Sequence, residues 1–156
     1  MTMQMRALLG AALVAWVGLA AGCEPKPTGK AVAVGQTTPV PILAQFAGSD
    51  GGFATAQAMI IQSADQLDAL GSQDAVDLEV DYDAQSLVLV TLGEMPTDGY
   101  GVTIHAIQRQ ADRLYVQMSV RQPGEDEMAA QVITYPYAGA VIAKTDAGRV
   151  QVEPTP

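Results

Sequence analysis

The stretch Leu87-Val88-Leu89-Val90-Thr91-Leu92 is apolar at nearly every position. A strand with one face in water alternates apolar and polar side chains, whereas a continuous aliphatic run is typical of a central strand that is covered on both faces. The sequence therefore predicts that this segment lies at the centre of a sheet, with other parts of the chain packed against each side of it.

The segments that follow alternate with a period of two. Residues 102–108 and 114–121 have this pattern and are joined by residues 109–113, which predicts a half-buried antiparallel hairpin. Residues 132–135 and 140–144 are predicted as the last strong strands, and Pro136 between them marks an edge or a bend.

The segments before the central strand predict two strands and one helix. Residues 40–46 and 53–62 are candidate strands, and Ser63-Ala64-Asp65-Gln66 fits a capping box, with Ser63 as N-cap. Leu67 and Leu70 follow at helical spacing, so the helix has about two turns. One helix among six to eight strands predicts an α+β fold: a mostly antiparallel β-sheet or sandwich with one short helix packed on a face.

Residues 76–83 alternate apolar side chains with Asp77, Glu79, Asp81 and Asp83. If this segment is extended, the carboxylates face water opposite the apolar side chains. A calcium-binding EF-hand that starts at Asp77 would need Gly at its sixth and Glu at its twelfth position, and the chain has Tyr82 and Val88 there. We therefore predict a solvated acidic face and no metal site.

The N-terminus has the pattern of an export signal. Arg6 precedes a short apolar run, and Leu19-Ala20-Ala21-Gly22-Cys23 resembles the bacterial lipobox. The resemblance implies cleavage before Cys23 and acylation of that residue, and several acyl chains on one residue anchor a protein stably. The alternative is an ordinary secretory signal that leaves a free cysteine.

This interpretation divides the chain into three parts: a lipoprotein signal peptide at 1–22, a Pro/Gly-rich tether at 23–39 and a β-rich domain at 40–156. It predicts a cell-envelope lipoprotein that faces the periplasm and meets the membrane through its lipid anchor. Glu24 stands where an aspartate would give the clearest inner-membrane retention signal, so the sequence favours the outer membrane.

Charge and composition exclude several classes of protein. The formal charge of −9 becomes −10 once residues 1–22 are removed, because that segment holds Arg6 and no acidic residue. Such a chain repels nucleic acid and anionic lipid surfaces. With 49% hydrophobic and 16% charged residues it can bury an ordinary core, and its single cysteine excludes a disulfide framework and multi-cysteine metal sites.

The sequence offers little for catalysis. No serine lies in a Gly-x-Ser-x-Gly motif, and the one histidine, His105, lies in a predicted strand with no nucleophile motif beside it. We predict that the protein is not an enzyme and uses no cofactor. A functional role for His105 or for the acidic 77–83 segment stays open.

The connection after the central strand is the predicted partner-binding loop. Pro96 fixes one backbone dihedral, Asp98-Gly99 favours a tight turn, and Thr97 and Tyr100 are presented on the result. A stiff loop that carries a tyrosine is a good protein-contact site, because it loses little entropy on binding. The alternative is a structural turn whose tyrosine packs back on the sheet.

A family resemblance supports the contact interpretation. The run concerned is Gly93-Glu94-Met95-Pro96-Thr97-Asp98-Gly99-Tyr100-Gly101-Val102-Thr103-Ile104. It resembles the Gly-x-x-Pro-Thr-Gly-Gly-Tyr core of the PrcB family, with Asp98 in place of the first glycine of the pair. Similar elements follow the family order over about residues 44–145. The resemblance implies a non-catalytic lipoprotein domain that associates with an exported protease and supports its stability.

Two alternatives remain. Pro96-Thr97-Asp98-Gly99-Tyr100 is also similar to the loop that chagasin-like inhibitors insert into cysteine proteases, although Glu94-Met95 stands where that family has Asn, and no Trp follows the tyrosine. This resemblance implies direct protease inhibition. A purely structural envelope lipoprotein is the third hypothesis.

Cys23→Ser tests the anchor. We expect the full-length variant, expressed in a Gram-negative host, to leave the membrane fraction, because the acyl chains need the thiol. Fractionation and immunoblotting measure the distribution, with the parent chain as control. A variant that stays with the membranes as the parent does would contradict the lipoprotein assignment.

Overall fold

Eight strands form two four-stranded sheets in the computed structural model, which describes residues 36–71 and 79–155. The strands are β1 (Thr38–Val40), β2 (Ile42–Gly48), β3 (Ala56–Ile61), β4 (Gln85–Leu92), β5 (Gly101–Gln110), β6 (Arg113–Arg121), β7 (Tyr137–Ala143) and β8 (Arg149–Pro154). One helix, α1 (Ala64–Asp68), follows β3. In this described part of the chain, no helix is long and apolar enough to cross a membrane.

The first sheet has the strand order β1-β5-β6-β8 and the second the order β2-β7-β4-β3. Neighbouring strands are antiparallel except for β6 and β8, which are parallel. Buried side chains from β5 and β6 of the first sheet pack with those from β4 and β7 of the second. The two sheets therefore form a sandwich, which confirms the prediction of a mostly antiparallel β-fold with one short helix.

Strand β4 is buried on both faces, as its apolar run predicts. Val88 and Val90 belong to the core between the sheets, whereas Leu87 and Leu89 belong to a second cluster on the outer face of the second sheet. All four side chains are buried. The second sheet therefore needs a cover on its outer side as well as on its inner side.

Three aromatic rings supply much of that outer cover. Tyr137 lies with its ring centroid 6.1 Å from that of Phe46 and 5.6 Å from that of Phe53, in tilted and edge-on geometries. Phe46 pairs with Gly139 across β2 and β7, and its ring occupies the space that a side chain at position 139 would need. A Cβ atom there would lie 2.1 Å from the ring. Gly139 is thus required by packing.

The helix begins as predicted. Ser63 is its N-cap, and the Ser63 hydroxyl accepts a hydrogen bond from the N–H of Gln66 at 3.4 Å. The Gln66 side chain accepts from the N–H of Gln62 at 2.7 Å, one residue before the expected capping-box partner. No helical residue is buried, and Leu67 is half-buried beside the outer cluster.

The β5–β6 hairpin is confirmed, with longer strands and a shorter turn than predicted. Only Ala111 and Asp112 connect the strands, and Ala111 has a positive φ of 54°. The pairing shifts between Ile104 and Ala106, so His105 is a bulged residue. Because of this bulge Ile107, and not Ala106, joins Val102 and Ile104 in the core.

The structure differs from the sequence predictions at three segments. Residues 132–135 contain isolated bridges at Thr134 and Tyr135 and no strand, because this segment pairs with loops. Residues 79–81 are not in a strand and 82–84 form a turn, so the segment is not extended there. Glu79, Asp81 and Asp83 are nevertheless exposed, whereas Val80 and Tyr82 are half-buried against the outer cluster, as the predicted acidic face requires; Asp77 lies outside the described residues. Strand β8, which the sequence interpretation missed, continues the first sheet beside β6.

The signal peptide 1–22, Cys23 and the tether up to residue 35 lie outside the described residues. The described chain enters the domain at β1, where Thr38 pairs with Arg109 near the end of β5. The entry point is therefore at the hairpin end of the sandwich.

Gly139→Ala tests the aromatic cover. We expect a loss of about 1–3 kcal/mol in the free energy of unfolding, because the new methyl group overpacks the Phe46 ring. Chemical denaturation measures it, with Gly148→Ala as control, since a Cβ atom at position 148 meets nothing within 4 Å. In a Phe46→Leu background the loss should shrink. Equal stability of both glycine variants would contradict this packing.

Candidate functional site

Two chain segments meet at the end of the central β4–β7 pair. Residues 93–100 leave β4, and residues 121–136 lead from the end of β6 into β7; we call them together the lobe. The N–H of Leu92 donates to the Pro136 carbonyl at 2.9 Å. Met95 and Thr134 exchange two backbone hydrogen bonds at 2.8 and 3.0 Å, in an antiparallel bridge. The lobe is therefore a continuation of the β4–β7 ladder.

The first bend of the loop depends on Gly93, which has a φ of +78°. A Cβ atom at this position would lie 2.9 Å from the backbone nitrogen of Ala56, at the start of the neighbouring strand β3. Both the positive φ and the close backbone approach require glycine. This bend directs the chain towards the 121–136 segment.

Asp98 fixes the far side of the loop. The Asp98 N–H donates to the Ala130 carbonyl at 3.0 Å, and the Asp98 carboxylate accepts from the N–H of Gly99 at 2.7 Å. The Thr134 hydroxyl donates to the Thr97 carbonyl at 3.1 Å. The loop is thus bonded to the 121–136 segment at several points along its length.

Arg121 joins both parts of the lobe. One guanidinium nitrogen donates to the Gly99 carbonyl at 2.9 Å, and another lies 2.5 Å from a carboxylate oxygen of Glu127. The Gly124 N–H donates to the second Glu127 oxygen at 3.2 Å. Both side chains of the ion pair are largely exposed, so the pair adds little stability by itself, and its effect is to fix geometry.

The pKa of Glu127 is lowered, chiefly by the Gly124 N–H and then by the hydrogen bond and charge of Arg121. Because the folded-state pKa is lower than the unfolded one, the carboxylate holds this bend fully at neutral pH. These hydrogen bonds are lost only when the carboxylate is protonated, at a pH below the usual pKa of a carboxyl group.

The five predicted contact residues differ in exposure. Pro96 and Asp98 are exposed, whereas Thr97, Gly99 and Tyr100 are half-buried. Tyr100 lines a groove of about 390 Å³ together with Arg121 and Tyr137. The loop therefore lies against the domain, with Pro96 and Asp98 on its outer surface.

The sequence interpretation missed the apolar side chains of the 121–136 segment. Met128 is 100% exposed, Val132 57% and Ile133 55%. Val132 also lines a hollow of about 200 Å³ with Asp98 and Asp50, which places this segment beside the predicted loop. The available signal is the apolar residues that follow the Pro-Gly acidic loop, of which the sequence analysis places only residues 132–135 in a predicted strand.

Chemistry-bearing groups elsewhere do not join the lobe. The imidazole Nε2 of His105 lies 2.8 Å from the Ser119 hydroxyl, and His105 is exposed on the outer face of the first sheet. Among the described residues, no group of three His, Cys, Asp or Glu side chains could hold a metal ion. The lobe itself presents exposed apolar side chains, carboxylates and one ion-paired arginine.

Comparisons with known proteins find similarity in this region. The family model described as PrcB C-terminal matches residues 86–143. An uncharacterized protein of Methanocaldococcus jannaschii is 40% identical over 55 residues, which are 35% of this chain and 33% of the relative. The chain thus covers about a third of the length of this curated relative. No solved structure matches the chain.

The family match begins in β4, ends with β7 and includes the whole lobe. Over residues 86–143 the chain is therefore similar to the PrcB C-terminal family, as the sequence resemblance predicts.

Proposed function

We propose that this PrcB-like protein is a lipid-anchored, non-catalytic domain of the cell envelope that binds an exported protease and supports its stability. The lobe is the binding surface. The observation that carries the proposal is the exposure of Met128, Val132 and Ile133 on a segment whose backbone is hydrogen-bonded to the 93–100 loop.

Exposed apolar side chains favour a protein partner. Burial of apolar surface drives association, and grouped exposed apolar residues mark interaction sites. Hydrogen bonds from Met95, Asp98 and Thr134 already fix the backbone on which these side chains stand. Binding therefore orders side chains and little main chain, which lowers its entropic cost.

The position of the lobe suits an anchored protein. The chain enters at Thr38, beside Arg109, whereas the lobe adjoins Gly101 at the other end of β5. Eight residues of strand separate these points, or about 26 Å at about 3.3 Å per residue. In a protein anchored at Cys23, on the periplasmic side of the outer membrane, the lobe would lie at the end of the domain opposite Thr38.

The same contacts favour docking over the insertion of a chagasin-like loop. Thr97 and Tyr100 are half-buried, and the Thr97 carbonyl is bonded to Thr134. Insertion into a narrow cleft would require these contacts to break, whereas docking against the outer surface of the lobe keeps them.

Photocrosslinking tests where the partner binds. We expect a benzoylphenylalanine introduced at Met128 in the full-length chain to crosslink a protease in intact envelopes, because this side chain is fully exposed on the lobe. Mass spectrometry identifies the product. The control is the same probe at Gln151, which is exposed on β8 of the first sheet. A probe at 128 that captures no protease, or the same products at 128 and 151, would remove the lobe as the site.

Thr97→Ala with Tyr100→Ala tests the loop. We expect weaker co-purification with the crosslinked protease, because both half-buried side chains help to hold the loop against the domain. A matched pair, Thr38→Ala with Tyr115→Ala, changes the same residue types outside the lobe. Circular dichroism checks that both variants fold. Unimpaired co-purification of the loop variant would remove Thr97 and Tyr100 from the site.

Protease activity separates stabilisation from inhibition. We expect the domain to lengthen the lifetime of the protease and to leave its initial turnover unchanged. Turnover that falls on addition of the domain would contradict the stabilising role and would identify an inhibitor.

A further inference from the structure

The lobe carries carboxylates as well as exposed apolar side chains. Glu94, Asp98, Glu125 and Asp126 are exposed, and Glu127 is paired with Arg121. Asp50 joins them from outside the lobe, because it lines the same hollow as Asp98 and Val132. Val132 thus lies beside two carboxylates, and three acidic residues directly precede Met128 in the chain.

This charge is concentrated in the lobe and does not merely follow the acidity of the domain. The 24 residues of the lobe hold five acidic residues and one basic residue. The other 89 described residues hold nine acidic and four basic residues. The net charge is −4 in the lobe and −5 in a region almost four times as long. The basic residue of the lobe, Arg121, is already bound to Glu127 and Gly99.

We propose that the lobe recognises a protein surface with an apolar hollow bordered by lysine and arginine side chains. This inference rests on the proposed function and specifies the chemistry of the partner at the same site. The apolar hollow of the partner accommodates three side chains of the lobe, Met128, Val132 and Ile133, which supply the buried apolar area. The carboxylates of Glu125 and Asp126 face the basic rim and supply orientation and selectivity.

The pattern of charge supports a cationic protein surface as the occupant. An apolar core within a charged border is the usual anatomy of a specific interface, and the border of the partner carries the opposite charge. An equally acidic surface would be repelled by the lobe. Because the carboxylates are exposed, their attraction acts over about 8 Å at physiological ionic strength and weakens as salt is added.

Reversing the charge of two carboxylates of the lobe tests whether the partner has a basic rim. The full-length chain with benzoylphenylalanine at Met128 is given Glu125→Lys with Asp126→Lys. The control is Asp83→Lys with Asp112→Lys, which changes the net charge by the same amount. Asp83 precedes β4 and Asp112 lies in the β5–β6 turn, both at the end of the sandwich opposite the lobe.

We expect Glu125→Lys with Asp126→Lys to lower the yield of the protease crosslink about tenfold in intact envelopes. The control should change the yield less than about twofold, because only the carboxylates of the lobe face the basic rim of the partner. Glu125→Gln with Asp126→Asn keeps the shape of the side chains and should give an intermediate yield. Immunoblotting of each chain corrects for its amount.

The outcomes separate this inference from the proposed function. A parent chain without any protease crosslink at 128 would overturn the proposed function and this inference with it. If the yield of the protease crosslink is unchanged by both charge reversals, the proposed function still holds, but the inference of a basic rim on the partner is wrong. Equal losses in both variants would also overturn it, since they would show an effect of net charge alone.

Discussion

The pairing of β4 with β7 is the constraint on which the rest of the structure depends. These two strands lie at the centre of the second sheet, and nearly all of their side chains are buried. A sheet that is apolar on both faces must be covered twice. The first sheet covers the inner face, and the rings of Phe46, Phe53 and Tyr137 contribute to the cover of the outer face. Gly139 is required where one of these rings crosses β7.

The same pair sets the position of the lobe. Because β4 and β7 are antiparallel, the chain that leaves β4 and the chain that enters β7 emerge side by side. The bridge between Met95 and Thr134 continues their ladder, and Arg121 ties the loop to the acidic bend at Glu127. A buried, rigid pair of strands thus extends into an exposed surface with little freedom of its own. This is the property that a docking surface needs, because a fixed surface loses little entropy on binding.

Local patterns predicted what local physics decides. The apolar run of β4 predicted that this strand is buried on both faces, and Ser63 predicted the start of the helix. The alternation in β5 and β6 predicted the hairpin. Contacts between distant residues were invisible to such patterns. The bulge at His105 and the pairing of 134 with 95 depend on partners far along the chain, so the segment before β7 was mistaken for a strand. The sequence therefore pointed to the loop of the lobe and not to the apolar residues beside it.

The exposure of Met128 gives the most direct test of the claim that the lobe is occupied in the cell. The rate at which dilute hydrogen peroxide converts Met128 to its sulfoxide is measured by mass spectrometry, in intact envelopes and in the purified protein. Met118, which is buried in the core, is the internal reference for folding. We predict that Met128 is oxidised several-fold more slowly in envelopes, because a partner covers its fully exposed side chain. Equal rates in the two preparations, with Met118 protected in both, would contradict it.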